Sequence, residues 1–256
     1  MYRFEINLYR FMNTRLLTIG QTSEIIGVSI QTLRRWDNSD KLSSIRKKKT
    51  GHRYYKENDV ENYLKNNLKD LFRLAKNWVF NKKGLEPRSD FYCQDSSVFQ
   101  ARLIKLENEL SKLKRLGRTF PLISAIVGEI GNNSFDHNLG NWPDIPGIFF
   151  SYDLKKGKII LADRGQGILE TLKKIKPGLK NHQDALYTAF TEIISGRAPE
   201  HRGNGLKFVK DVVISNEISL IFQTGNAQLK IQKNDSDLRV RKTTANFHGC
   251  LSLIRF

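Results

Sequence analysis

The sequence predicts an α+β protein with two domains, a small and mainly helical one followed by a larger one that combines helices and strands. Two short amphipathic segments joined by a Gly-Val-Ser turn lie near the start, within residues 18–36. A nearly continuous apolar segment with one polar stripe follows at residues 119–138. After it, short strand-like runs flank turn residues, as in β-hairpins. A chain of 256 residues that is 39% hydrophobic can supply two cores.

Positive charge is concentrated at the front of the chain. The formal net charge is +17, and residues 1–85 hold 18 Lys and Arg against 8 Asp and Glu. This asymmetry favours a polyanionic partner for the first domain, although a generally basic soluble protein is the alternative. Two cysteines, Cys93 and Cys250, are too few for a disulfide framework. No apolar run approaches the ~20 residues of a membrane span, so we expect a cytoplasmic protein with no membrane partner.

Residues 1–12 are predicted to form an N-terminal arm, and residues 13–68 the first domain. Thr18 can cap a first helix and Ser29 a second one, because both side chains can accept a bond from the first helical turn. A basic run follows, then a Thr-Gly turn and the strand-like segment His-Arg-Tyr-Tyr that starts at His52. A further helix closes the domain.

The pattern Ile-Gly-x6-Gly-Val-Ser-x2-Thr-Leu-Arg-Arg-Trp, with Gly-His-Arg-Tyr-Tyr after it, resembles the winged helix-turn-helix of the MerR and excisionase group. The family usually has alanine where this chain has Ser23. The resemblance implies that the second helix enters the major groove of double-stranded DNA while the wing grips its backbone. A solvated basic face on a protein-binding module is the alternative. The groove-facing candidates are Gln31, Thr32, Arg34 and Arg35, and the phosphate-contact candidates are Lys47, Lys48, Lys49, His52 and Arg53.

Residues 69–118 are predicted to form a helical connector. Four leucines recur in it at three- and four-residue spacing, at positions 103, 106, 110 and 113. Two interpretations remain open at this point. The stripe either packs against the domain that follows, or it forms the dimerisation helix of a homodimer, as MerR-type regulators commonly have.

Three polar motifs follow in order between residues 119 and 256. Glu129 and Asn133 are four residues apart in an apolar helix and therefore share a face. A strand-like run ends in an Asp-x-Gly-x-Gly segment, and a later Gly-x-Gly-Leu segment opens another helix-like run. The residues of these motifs are Glu129, Asn133, Asp136 and His137, then Asp163, Gly165, Gly167 and Ile168, then Arg202, Gly203, Asn204, Gly205 and Leu206.

Taken together and in this order, the motifs resemble the ATP-binding domain shared by gyrases, heat-shock chaperones, histidine kinases and mismatch-repair ATPases (the GHKL family). The resemblance implies a two-layer α/β sandwich with a mixed sheet, with ATP and Mg²⁺ as cofactors. It also implies a mobile lid over the nucleotide at about residues 168–202. The family often has Gly-Thr before its last strand, where this chain has Gly249-Cys250.

The resemblance also implies roles for individual residues. Asp163 would accept a bond from the adenine amine, and Gly165 and Gly167 would leave room for base and sugar. Asn133 would offer an oxygen to Mg²⁺, and Glu129 would be the general base. The Gly-x-Gly segment would bind phosphate at a helix N-terminus. His137 either acts with the site, as in anti-sigma kinases, or forms a structural pair with Asp136.

The two modules together predict a cytoplasmic DNA-binding regulator of transcription that binds, and hydrolyses, Mg-ATP to switch DNA or partner binding. The alternative is an anti-sigma-like serine/threonine kinase that acts on a small partner protein. ATP hydrolysis that drives a conformational cycle is a third reading.

Overall fold

A computed structural model describes residues 15–26, 28–46, 51–66, 71–193 and 205–256. The chain divides into two compact units, residues 1–74 and residues 75–256. The predicted N-terminal arm, residues 1–12, lies outside the described ranges, as does the predicted turn residue Gly27.

The first unit has the predicted order of two helices followed by a small sheet and a further helix. Its three strands lie in the order β1-β3-β2 with antiparallel neighbours. The elements are β1 (Leu16–Thr18), α1 (Ile19–Ile26), α2 (Ile30–Asn38), β2 (Ile45–Arg46), β3 (Arg53–Lys56) and α3 (Glu57–Asn66).

Both predicted helix caps are present in this unit. Thr18 Oγ1 accepts a bond from the Gln21 amide at 3.2 Å, and Ser29 Oγ accepts one from the Thr32 amide at 3.1 Å. These bonds satisfy amides that have no partner within their own helices. A small apolar core holds the helices on the sheet, and its buried members are Leu17, Ile26, Leu33, Leu42, Tyr55 and Val60.

Asp37, at the end of α2, ties the helix to the two strands of the wing. Its carboxylate accepts bonds from Arg46 Nη2 at 2.6 Å, Arg53 Nε at 2.7 Å and the Ser44 amide at 2.7 Å. Burial alone would raise the pKa of Asp37, but the bonds from Arg53, Ser44 and Arg46 outweigh it and lower that pKa well below its usual value.

Replacing Asp37 with asparagine should destabilise the first unit by about 1.5–3 kcal/mol near neutral pH, because two guanidinium groups lose their charged partner. A carboxyl whose pKa is lowered by folding stabilises the fold above its unfolded pKa of about 3.9, and that contribution disappears as the pH falls further. In urea unfolding, the difference between wild type and Asp37→Asn should therefore be constant from about pH 5 to 8 and shrink below about pH 4.

The matched control for this prediction is Asp40→Asn, since Asp40 is an exposed aspartate three residues further on. It should change the unfolding free energy by less than about 0.5 kcal/mol. A difference for Asp37→Asn that persists undiminished at about pH 3 would contradict the role assigned to the carboxylate.

The second unit combines a seven-stranded sheet with the helices that connect and cover its strands. Helix α4 begins in the first unit and ends in the second. The elements are α4 (Leu71–Phe80), β4 (Tyr92–Cys93), α5 (Ser96–Ser111), a 3₁₀ segment (Lys114–Thr119), α6 (Phe120–Asn138), β5 (Ile148–Asp153), β6 (Lys158–Asp163), α7 (Gly167–Lys173), α8 (His182–Thr191), α9 (Gly205–Ser215), β7 (Ser219–Thr224), β8 (Ala227–Ile231), β9 (Val240–Lys242) and β10 (Cys250–Arg255).

The α+β class and the two-layer sandwich are confirmed, but the predicted mixed sheet is not. The strand order is β4-β5-β6-β10-β7-β8-β9, and every neighbouring pair is antiparallel. The reason lies in the last strand of the chain. β6 and β7 run in the same direction, since each is antiparallel to β10, and β10 lies between them, so they never become neighbours.

The predicted connector, residues 69–118, is not a separate segment but lies largely within the second unit. Leu106 and Leu110 are fully buried in its core, and Leu103 and Leu113 pack against that core. The leucine stripe of α5 is therefore used inside the chain, as the packing interpretation predicted.

The predicted lid, about residues 168–202, is described only in part. Within residues 168–191, the side chains of α7 and α8 are part of the same core, with Leu186 and Phe190 fully buried. A mobile cover made of these two helices would have to expose that apolar surface to water, at a free-energy cost proportional to its area. The rest of the predicted lid, residues 194–202, lies outside the described ranges. None of the helices in the described part of the chain combines the length and the apolar character of a bilayer span.

Candidate functional site

Helix α6 places polar side chains at successive levels along one side of the second unit. Near its middle, Glu129 and Asn133 face the first residue of α9. A Cβ on Gly205 would lie 2.5 Å from Glu129 Oε2 and 3.5 Å from Asn133 Nδ2. Two of the three predicted motifs therefore meet here, and they approach so closely that a side chain at position 205 would collide with the Glu129 carboxylate.

The third motif meets α6 at the next level. Asp163 ends β6, is 2% exposed, and accepts a bond from Ser134 Oγ at 2.8 Å and one from the Gly165 amide at 2.9 Å. Burial raises the pKa of Asp163, and the bonds from Gly165, Ser134 and the Cys250 amide offset this only in part. Ser134 lies five residues after Glu129, about 7–8 Å along the helix axis.

The last turn of α6 holds the loop that follows Asp163. Asn138 is buried, donates to the Ser134 carbonyl at 2.7 Å and accepts a bond from the Gln166 amide at 2.7 Å. A Cβ on Gly165 would overlap the Asn138 amide group. Gly165 is thus required by the close approach of helix and loop, whether or not a ligand is present.

Strand β7 supplies a further support for the same loop. Thr224 Oγ1 accepts a bond from the Ile168 amide at 3.2 Å and donates to the Gly249 carbonyl at 2.9 Å. Gly167 has a φ of +78°, and a Cβ there would lie 2.9 Å from Thr224 Oγ1. The strand register places Asp163, Cys250 and Thr224 side by side across the sheet.

Three of these supporting residues were not among the predicted site residues. Ser134 and Asn138 are four residues apart, so their shared helix face was readable from the sequence. Thr224 gave no signal, since a threonine before a Gly-Asn turn is ordinary in a hairpin.

Arg164 was also missed, because its position within Asp-x-Gly-x-Gly is variable by definition. Its side chain is buried and binds the Asp144 carboxylate with two nitrogens, Nε at 2.9 Å and Nη2 at 2.5 Å. Its Nη1 donates to the carbonyls of Trp78 and Asn81, at 2.6 and 2.8 Å, and more weakly to that of Val79 at 3.3 Å.

The remaining predicted residues of the second unit have varied surroundings. Asp136 is exposed, and Leu206 packs against the core. Burial and the nearby Lys174 ammonium lower the pKa of His137, so the imidazole is neutral at pH 7. Arg202, Gly203 and Asn204 lie outside the described ranges.

A groove of about 460 Å³ opens beside Glu129, between α5, α6 and α9. It exposes two carboxylates, those of Glu107 and Glu129, and no cation among its lining residues. The hydroxyl of Ser124, which lines it, is buried without a hydrogen-bond partner. The other lining residues are Leu103, Pro121, Ala125, Gly128, Asn132 and Phe208.

In the first unit, the predicted groove-facing residues lie on the exposed side of α2. Gln31, Arg34 and Arg35 are exposed, whereas Thr32 is half-buried, with its hydroxyl 3.0 Å from Ser29 Oγ. In the wing, His52 is exposed, and Arg53 is engaged by Asp37. The three lysines predicted to contact phosphate, at positions 47–49, lie outside the described ranges.

Comparison with known proteins supports the assignment of the first unit. Residues 18–55 match the profile of the MerR family regulatory proteins, so the N-terminal unit is a MerR-type helix-turn-helix domain. A 46-residue segment, 18% of this chain, is 39% identical to the type II methyltransferase M.Eco47II of Escherichia coli. The chain spans 11% of the length of that protein.

Solved structures similar to this chain include two ATPase domains. The ATPase region of Saccharomyces cerevisiae topoisomerase II has a TM-score of 0.36 and 14% identity, over 52% of this chain and 37% of that one. The 43K ATPase domain of Thermus thermophilus gyrase B, solved in complex with an aminocoumarin, has a TM-score of 0.32 and 18% identity. It matches 51% of this chain and 32% of that one. The chain thus spans about a third of each of these structures.

Proposed function

We propose that this protein is a DNA-binding regulator whose second unit binds Mg-ATP and uses it to change the affinity for DNA or for a protein partner. The observation that carries the proposal is the meeting of three motifs on α6, with Glu129 and Asn133 facing Gly205 and Asp163 bonded to Ser134. A ligand that contacts both levels is elongated, with a hydrogen-bond donor at the Asp163 end and, at the Glu129 end, a group that the first amides of α9 and a bound cation can hold. A nucleoside triphosphate has that chemistry.

At one end, Asp163 would accept a bond from the adenine amine. The carboxylate is held in place by Ser134 and Gly165, and the Cys250 thiol also bonds to it. A thiol is the weakest of these donors. The adenine amine would therefore displace the Cys250 contact at a smaller cost than it would displace a hydroxyl.

At the other end, the residues present fit a magnesium-bound phosphate. No three His, Cys, Asp or Glu side chains cluster as metal ligands in the described ranges. That is compatible with an ion held by one amide oxygen and by the phosphates themselves. Asn133 would supply that oxygen, from the turn of α6 that faces Gly205. Bound Mg²⁺ would neutralise phosphate charge, and the first amides of α9 would donate to phosphate oxygens.

Of the two side chains that face Gly205, those of Glu129 and Asn133, only the Glu129 carboxylate can accept a proton. Its carboxylate would accept a proton from water as the water oxygen bonds to the terminal phosphorus. The bond from that phosphorus to the bridging oxygen then breaks, and ADP and phosphate leave. Hydrolysis would end the ATP-bound state and reset the affinity for DNA.

The proposal is tested by measuring DNA affinity with and without Mg-ATP. A duplex selected by the protein from a random-sequence pool serves as the ligand in fluorescence anisotropy at fixed salt, since affinity for DNA depends strongly on salt. The dissociation constant and its salt dependence should both differ between the two conditions. Identical values with and without Mg-ATP, together with measured ATP binding, would reject the switch.

Arg35→Ala should weaken duplex binding by about 10- to 100-fold, the range expected for one lost base contact. Arg35 is exposed on α2, so the variant should fold normally and bind Mg-ATP as the wild type does. Arg255→Ala removes an exposed arginine from the second unit and is the matched control. Equal losses in the two variants would indicate only a general charge effect.

The kinase alternative is favoured by one observation, the open groove beside Glu129. An acceptor hydroxyl of a protein partner in this groove could reach the carboxylate, and basic residues of the partner would complement Glu107 and Glu129. Incubation with ATP labelled at its terminal phosphate and with proteins encoded next to this one separates the two functions. Label on a protein supports the kinase, and free phosphate alone supports hydrolysis.

A further inference from the structure

We propose that Arg164 is the positioning residue through which the loop after Asp163, residues 164–166, controls α4, the helix that runs from the first unit into the second. This inference deepens the proposed function, on which it rests, by naming the residue that carries the regulation. It follows from three features of the second unit together with one of the first.

The first feature is the contact between Arg164 and the C-terminal end of α4. The helix ends at Phe80, and the carbonyls of Trp78, Val79 and Asn81 all accept from Arg164 Nη1. The last carbonyls of a helix have no partners within the helix and carry its partial negative charge. A guanidinium placed there caps the helix, and any displacement of Arg164 must either move that end of the helix or break these bonds.

The second feature is the position of Arg164 in the chain. It lies between Asp163 and Gly165, the two residues proposed to contact the base and sugar. Asp163 accepts a bond from Ser134, and Gly165 lies in close contact with the Asn138 amide group. A ligand that shifts the Asp163 carboxylate therefore moves the backbone from which the Arg164 side chain extends.

The third feature is that Arg164 is 1% exposed. A buried guanidinium is costly unless each of its donors is bonded, and here Asp144 supplies the carboxylate. His248 Nε2 lies 3.4 Å from Asp144, so the segment that leads into β10 and Cys250 joins the same cluster. The cluster of Arg164, Asp144 and His248 thus links the loop after Asp163, the C-terminal end of α4 and the segment that leads into β10.

In the first unit, Leu74 packs against the core formed by Leu33 and Tyr55. Leu74 and Trp78 are four residues apart and belong to one continuous helix. Helix α4 is thus continuous from Leu74, in the first unit, to Phe80, in the second. Rigid secondary elements are among the structures that can carry energetic coupling between distant sites.

Arg164→Lys tests the proposal, because lysine keeps the charge but cannot form the planar fork that reaches a carboxylate and several carbonyls. The variant should bind Mg-ATP within about threefold of the wild type. The ratio of DNA dissociation constants with and without Mg-ATP should fall towards one. Arg102→Lys is the matched control, since Arg102 also donates to backbone carbonyls, those of Ser89 and Asp90, but away from the loop and from α4. It should keep the wild-type ratio.

Hydrogen exchange of the wild-type protein supplies a second measurement that does not depend on any variant folding. Mg-ATP should change the exchange of amides in residues 75–81, and Arg164→Lys should abolish that change. A wild type whose exchange in residues 75–81 ignores Mg-ATP overturns the proposal, and so does an Arg164→Lys protein that binds Mg-ATP and keeps the wild-type ratio. A wild type that binds Mg-ATP with a ratio of one instead rejects the proposed function itself.

Discussion

Asp163→Asn should lower the affinity for Mg-ATP by about 10- to 100-fold, the effect of losing one hydrogen bond to a charged group. The DNA affinity of the nucleotide-free protein should stay unchanged. Asparagine has the same shape, and its amide oxygen can still accept from the Gly165 amide while its nitrogen donates to the Ser134 hydroxyl. The carboxylate oxygen proposed to face the adenine amine would thereby be replaced by a donor, and two donors would oppose each other.

Titration calorimetry with Mg-ATP measures this effect, and Asp153→Asn is the control. Asp153 is an aspartate at the end of the neighbouring strand β5, at the hairpin turn, where it pairs with Lys156. Its replacement should leave nucleotide affinity within about twofold of the wild type. An Asp163→Asn protein that melts like the wild type and binds Mg-ATP equally well would remove Asp163 from the site.

Glu129→Gln should reduce the rate of phosphate release from Mg-ATP by about 10²- to 10⁴-fold, the usual contribution of a positioned general base. The affinity for Mg-ATP should change little, because glutamine preserves the shape of the side chain beside Gly205. The rate of phosphate release and the affinity for Mg-ATP should be measured separately. A variant that binds normally but does not turn over ATP has lost a group that acts on the reacting atoms.

Glu107→Gln provides the comparison, since Glu107 is the other carboxylate that lines the groove beside Glu129. It should turn over ATP at the wild-type rate. Equal turnover by wild type and Glu129→Gln would show that Glu129 is not the base. If the wild type binds Mg-ATP and releases no phosphate, the second unit is a nucleotide sensor, or a kinase that lacks its acceptor.

Local sequence signals were sufficient for much of the fold. The caps at Thr18 and Ser29 are confirmed because an N-cap is decided by one side chain and the amides of the first helical turn. The hairpin of β7 and β8 turns at Gly225-Asn226, one of the places where strand-like runs flank turn residues. The MerR-type unit was predictable for the same reason, since its pattern is dense within 38 residues, 18–55.

The features that the sequence could not supply depend on contacts between distant residues. Arg164 bonds to carbonyls more than 80 positions earlier, and nothing near it in the sequence indicates this. The strand directions depend on where β10 enters the sheet, which periodicity does not reveal. The leucine spacing of α5 was compatible both with packing inside the chain and with a dimerisation helix. Only the contacts in the folded chain distinguish these two interpretations. The roles of the predicted site residues remain predictions.

The two cysteines give the protein a pair of built-in chemical reporters. Burial raises the pKa of Cys250 well above its usual value and that of Cys93 to about 11, so both are unreactive thiols at neutral pH. A thiol reagent can modify the buried Cys93 only when the fold opens locally around it, whereas Cys250 is half-buried and is protected mainly by its raised pKa. Cys93 lies on the edge strand β4, and Cys250 lies beside Asp163 in the centre of the sheet. The labelling rate of Cys250 relative to Cys93 thus reports on the surroundings of Asp163, which help to set the pKa of Cys250.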